Sequence, residues 1–186
     1  MADLSQLLYT DMIWFIVGFI ILGLYFLFRK RIAHHALFSL EYKSFSRDII
    51  IPTVIIFILL SAFRFISGIP LVESKITNWF AVLSYVIIGP FFEELFLRGI
   101  ILGGSFYLSS KLDNKFAQKF FIILGFIVQL FIFVWMHGYT DLIRIIYLSL
   151  IGLVYSLLFI FNKREILPCI FAHALTNLLI IWEVFN

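Results

Sequence analysis

The chain has 186 residues, 63% of them hydrophobic and only 13% charged, and its mean hydropathy is +1.08. Soluble domains are about half apolar and about a quarter charged, so the composition excludes a soluble domain and indicates an integral membrane protein. The net charge of +3 sits in short clusters between oily runs, where it reports topology rather than nucleic-acid binding, and the lone Cys169 excludes an intrachain disulfide.

The apolar runs match the length of about 20 residues that a helix needs to cross hydrocarbon and lack the short alternation of a barrel strand. The expected fold is therefore all-α, a polytopic membrane helix bundle of about six transmembrane helices, forming a single domain over residues 1–186. The first span is expected from Met12 to Phe28, ending at Arg29-Lys30-Arg31. It follows an acidic start, with Asp3 and Asp11, that is unlike the basic start of a secretory signal, so it reads as a retained span. The second runs from Ile49 to Ile69 and the third from Trp79 to Leu108. The fourth covers Phe120 to His137, the fifth Leu142 to Phe161 and the sixth Ile166 to Phe185.

Arg29, Lys30, Arg31, Lys43 and Arg47 follow span one. Lys111, Lys115 and Lys119 follow span three, and Lys163 and Arg164 follow span five. The intervening loops carry only Glu73 and Lys75, then Asp141 and Arg144. The positive-inside bias puts the basic loops in the cytoplasm and both termini outside a multi-pass cell-membrane protein.

A charged group at bilayer depth costs about 3 kcal/mol on insertion scales and needs a reason. Span three carries Glu93, Glu94 and Arg98. Glu94 and Arg98 are one helical turn apart and can pair. Glu93 points about 100° away and has no partner in its own segment. Adjacent carboxylates with different partners can divide structural and proton-transfer duties. The competing reading is a surface loop, against which the apolar residues continue on both sides, Phe80 to Phe92 and Ile100 to Leu108.

His137 closes span four one turn after Phe133, which can pack on its ring. His173 and Asn177 lie one turn apart on one face of span six; they read equally well as donors aimed at one point or as polar groups joining two helices. Cys169, one turn before His173, allows a cysteine–histidine nucleophile pair, although an inert buried thiol is the commoner state. Arg64 is expected to snorkel to the surface. Gln129 and the serines within spans are expected to join helices, and His34 and His35 to face water. There is no local metal-binding spacing of the His-Glu-x-x-His kind, yet Glu93, His137 and His173 on three helices could converge on zinc.

The three motifs Glu93-Glu94-x-x-x-Arg98, Phe133-x-x-x-His137 and His173-x-x-x-Asn177, in that order on successive spans, resemble the CPBP family of CAAX proteases and bacteriocin-processing enzymes, also called the Abi family. Its best-known members are the Rce1-type prenyl-protein endopeptidases. The resemblance covers about residues 79–186. It implies an Rce1-type core and an intramembrane endopeptidase in which Glu93 and His137 activate a water. It further implies that His173 and Asn177 stabilise the oxyanion, with Glu94, Arg98 and Phe133 in support. It implies a membrane-associated peptide or lipidated protein as substrate, for maturation or self-protection. A glutamate mechanism without metal is favoured, the alternative being a metalloenzyme with zinc on Glu93, His137 and His173.

Two other function classes compete: a non-enzymatic bacteriocin-immunity or peptide-binding protein, and a proton-coupled transporter. The chain has no inverted repeat of the transporter kind, and a binding pocket needs neither a base nor an oxyanion clamp. A straight ruler at about 1.5 Å per residue puts Glu93 and His137 in the outer half of the bilayer and His173 nearer the inner face. The site requires that these three meet.

Overall fold

The computed structural model describes Ile20 and residues 50–68 and 82–185. The expected first span (Ile20, which is helical, apart), His34 and His35, the basic residues near them and the loop with Glu73 and Lys75 lie outside these, as does the side chain of Arg64.

The described residues are helical and contain no strand. Helix α1 is Ile51–Ser67. Helix α2 is a continuous rod of four segments. Ser84–Ile88 is π-helical, Gly89–Glu94 α-helical, Leu95–Leu102 π-helical and Gly103–Ser109 α-helical. Helices α3, α4 and α5 are Lys115–Met136, Leu142–Phe161 and Leu167–Phe185. The expected second to sixth spans are thus all present as helices. The clearest departure is α3, which starts five residues before the expected Phe120. Its start is set by Asn114, whose Oδ1 accepts from the backbone N–H of Phe116 and Ala117 at 2.8 and 3.2 Å, a polar N-cap.

The turns have equally local causes. Gly138 has φ +66° just past the end of α3, the left-handed position that ends many helices. Asp141 Oδ1 then accepts from the backbone N–H of Arg144 at 2.8 Å and starts α4.

The first π segment of α2 follows from Pro90. In an α-helical register its ring would collide with the carbonyl of Val86. Instead the backbone widens by one residue, and the N–H of Gly89 donates to Ser84 O. Tyr85 O is then left without a helical donor, because the residue five positions on is Pro90, which has no N–H.

Helix α2 is central. Glu94, Leu95, Leu97, Arg98 and Leu102 are all fully buried. The second half of α2 packs on α3, and its first half on α5, which also meets α1 and α4. Contact with α3 is close because Gly125 sits directly against the Ser105 side chain; small residues let membrane helices approach in this way.

Helices α3 and α4 are long and apolar enough to cross a membrane. The core helix of a soluble protein would hide its apolar side chains, yet only 17% of the apolar window of α3 is buried. Phe116, Phe131 and Trp135 stand outward at 79, 68 and 72% exposure.

Candidate active site

The polar residues singled out on α2, α3 and α5 meet around one buried cluster. Arg98 Nη1 donates to Glu94 Oε1 at 3.0 Å with both side chains fully buried. The pairing expected one turn apart is therefore present. Its other arm, Nη2, donates to the carbonyl of Gly152 on α4 at 3.0 Å.

That carbonyl is also held by Ser156 Oγ at 2.6 Å, and Ser156 Oγ accepts from Gln129 Nε2 at 2.7 Å. Gln129 and Ser156 thus join α3 to α4. A chain of polar contacts runs from α3 through α4 to the Arg98–Glu94 pair on α2. Gly152 permits it: a Cβ there would lie 2.6 Å from Leu130 Cδ1 and 2.9 Å from Phe133 Cδ1.

Glu94 reaches a second helix. His173 Nδ1 lies 2.9 Å from the same Oε1 that Arg98 contacts. An arginine-paired carboxylate is ionised and can only accept, so His173 Nδ1 carries the proton there. Its Nε2 then faces Glu93, whose Oε2 is 3.9 Å away. The Glu93 side chain is 25% exposed, but its Oε2 atom is buried without a protein hydrogen-bond partner.

The two neighbouring carboxylates therefore have different surroundings. Glu94 is buried between a guanidinium and an imidazole. Each keeps one buried oxygen, Oε2, without a protein partner; Glu93 differs in that its nearest basic group is His173 Nε2, 3.9 Å away.

His137, just past the end of α3, turns Nδ1 to the carbonyl of Phe133 at 2.7 Å. A carbonyl only accepts, so Nδ1 donates and, in the neutral ring, Nε2 presents its lone pair. Phe133 joins the parts. Its ring makes an edge contact with His137 at 4.7 Å and another with His173 at 6.1 Å. Arg98 lies over its face at 4.9 Å.

Asn177 donates through Nδ2 to Tyr85 O at 2.8 Å, the carbonyl that Pro90 leaves open. It links α5 to α2 and keeps a second amide N–H for other use. The Cys169 thiol donates to Tyr155 O at 3.3 Å.

His137, His173 and Asn177 line one cavity, together with Tyr85, Tyr155 and Arg144. About 40 Å³ of it is open to the centres of water-sized molecules. A site needs about 10–15 Å³ by that measure to hold one water, so a few waters fit. Of the three residues that must meet, His137, at the end of α3, and His173, inside α5, both pack on Phe133 and line the same cavity, while Glu93 is not among its lining residues and approaches the site at His173 Nε2, 3.9 Å away.

Among the described residues no three His, Cys, Asp or Glu side chains are grouped to hold a metal ion. A catalytic zinc takes three protein ligands at about 2.0–2.2 Å. Glu93 and His173 stand opposite each other, but His137 does not complete such a set, so the donor arrangement does not fit one.

The model of the family described as type II CAAX prenyl endopeptidase Rce1-like matches residues 75–179. The chain belongs to the Rce1-like family. The match runs from just before α2 into α5 and contains Glu93, Glu94, Arg98, Phe133, His137, His173 and Asn177. The helical architecture, with its outward-facing apolar helices, agrees with the membrane setting of an Rce1-like protein. Neither a curated protein nor a solved structure matches the chain.

Three contacts of this Rce1-like cluster escaped the reading of the sequence: Tyr155, stacked on His173 at 5.1 Å and 25°, and the carbonyls of Gly152 and Tyr85. Backbone carbonyls leave no mark in a sequence. Tyr155 did leave one, because Tyr147, Ile151 and Tyr155 recur at one-turn intervals along one face of span five.

Proposed function

We propose that this chain is a multi-pass intramembrane endopeptidase of the CAAX-protease type, in which Glu93 activates a water for attack on a peptide carbonyl. The observation that carries this reading is Glu93 Oε2, a buried carboxylate oxygen without a protein partner, 3.9 Å from His173 Nε2. Two atoms 3.9 Å apart can both reach one water at about 2.8 Å, ordinary hydrogen-bond length.

In this reading Glu93 takes the proton of the attacking water and later delivers it to the leaving amine, while His137 assists with the lone pair of Nε2. The oxyanion is met by the second amide N–H of Asn177 and by His173. When its ring is protonated, His173 donates at Nε2 while Glu94 accepts at Nδ1. Each such donor is worth about 3 kcal/mol in the transition state. Glu94, Arg98 and Phe133 hold the imidazole without touching substrate. No metal takes part.

The proposed substrate is a membrane-associated peptide or lipidated protein, approached through the bilayer, in a cell membrane where both termini lie outside. Family membership supports the peptide chemistry, since the family's description is of a prenyl endopeptidase.

The test is cleavage by purified protein. Glu93→Gln keeps the shape and removes the basicity, so cleavage should fall by about 10²-fold or more, the range of a general base, with an unchanged melting temperature. Chelator should leave the wild-type rate mostly intact. A wild-type rate in the Gln variant removes Glu93 from its role. Full loss with chelator that zinc restores would move Glu93, His137 and His173 into ligand roles.

A further inference from the structure

We infer that Tyr155 is a positioning residue for the proposed reaction, a stacking platform that fixes the rotation of the His173 ring. This rests on the proposed site and adds a residue that none of its motifs contains.

One hydrogen bond does not fix an imidazole. With Nδ1 on Glu94 at 2.9 Å, the ring can still swing about that contact and carry Nε2 away from Glu93. Tyr155 opposes the swing. Its ring lies against the imidazole face at 5.1 Å between centroids and 25° between planes. Phe133 meets the same imidazole edge-on at 6.1 Å and 75°. A face contact and an edge contact from two directions leave one orientation, the one in which Nε2 faces Glu93.

The platform is itself fixed. Tyr155 is fully buried. Its hydroxyl donates to Thr176 Oγ1 at 3.0 Å, which in turn donates to Ala172 O at 2.8 Å. Its carbonyl accepts from Cys169 Sγ at 3.3 Å. Tyr155 thus grips α5 on the turn before His173, at His173 and on the turn after it. Arg98 adds a cation 5.4 Å from its ring, so the ring also backs the guanidinium that holds Glu94. A tyrosine serving the core alone would need neither the parallel stack nor the hydroxyl tether to the helix of the histidine.

The aromatic face does the positioning and the hydroxyl only holds the ring, so Tyr155→Phe and Tyr155→Leu separate the two. In purified full-length protein, Tyr155→Phe should keep kcat within about threefold, whereas Tyr155→Leu should lower kcat by on the order of 10- to 100-fold, the scale of a misplaced catalytic group, with KM little changed. The second readout is independent of cleavage: the ¹⁵N-histidine spectrum, with the His173 signal identified by its loss in His173→Gln. Wild type and Tyr155→Phe should share the signature of a fixed Nδ1–H donor, and Tyr155→Leu should lose it. If the leucine variant does not fold, Tyr155→Met, also unbranched at Cβ and lacking a ring, replaces it.

A leucine or methionine variant with the wild-type kcat and His173 signature overturns the proposal. So does a phenylalanine variant as impaired as the leucine one, which would give the role to the hydroxyl. If wild type cleaves nothing while the His173 signature still depends on Tyr155 in the expected order, the peptidase reading fails and the positioning stands.

Discussion

Glu93 and Glu94 are neighbours in sequence and opposites in environment. Glu94 has an arginine on its own helix and a histidine on another, each within 3.0 Å. Breaking a buried pair by removing one partner leaves an uncompensated charge and costs about 3–5 kcal/mol. Glu94→Ala and Arg98→Ala should therefore both lower the melting temperature in detergent, and a Glu94→Ala, Arg98→Leu double variant should recover part of the loss. Glu93→Ala removes a carboxylate whose nearest basic group, His173 Nε2, is 3.9 Å away, so its melting temperature should hold or rise while cleavage disappears. If Glu93→Ala is the strongly destabilised variant and Glu94→Ala melts like wild type, the two carboxylates are assigned the wrong way round. The Glu94–Arg98 contact was legible because helical spacing alone decides it. The Glu94–His173 contact was not, since 79 positions separate the pair and only helix packing brings them together.

Between helices, the decisive features are places where one backbone lacks something that another supplies. Pro90 opens the α2 hydrogen-bond ladder at Tyr85 O, and Asn177 on α5 fills the gap at 2.8 Å. Asn177→Leu should then leave a carbonyl without a partner, at a cost of about 1–3 kcal/mol. In a Pro90→Ala background, a restored N–H lets α2 satisfy its own carbonyls. The same Asn177→Leu change should cost less there, with a coupling of at least about 0.5 kcal/mol. Unfolding titrations of the four proteins in detergent measure it, and equal losses in both backgrounds would refute the link. The sequence marked Asn177 as either a donor aimed at one point or a polar group joining two helices, and Pro90 carries its effect in its missing N–H. The tie is now visible, and one amide N–H remains for the other role. The π-helical turns were not legible, because they depend on which carbonyl accepts each N–H rather than on side-chain period.

At the scale of the whole molecule, apolar run length and loop punctuation were enough to find α1 to α5, because hydrocarbon imposes both a length and an all-helical backbone. What they could not supply was depth. A straight ruler separated His137 from His173, whereas packing on Phe133 brings them to one cavity. The same physics makes the orientation testable. The turn between α2 and α3 and the turn between α4 and α5 carry Lys111, Lys115, Lys163 and Arg164, while the turn between α3 and α4 offers Asp141 and Arg144. If α3 and α4, both long and apolar enough to cross a membrane, each cross once, the two basic turns share one end of the bundle and Thr140 lies at the other. Lys and Arg are retained on the cytoplasmic side during insertion, so that basic end should be cytoplasmic and the cavity, lined by His137, Tyr139 and Arg144, should lie toward the outer half. In a Cys169→Ser background, which is free of cysteine and should remain active because the thiol faces a carbonyl, a single cysteine can be placed at the exposed positions Asp113 or Thr140. A membrane-impermeant maleimide added to intact cells should label Thr140→Cys and spare Asp113→Cys until the cells are opened. Labelling of Asp113→Cys in intact cells, with Thr140→Cys protected, would invert the bundle and place the cavity on the cytoplasmic side.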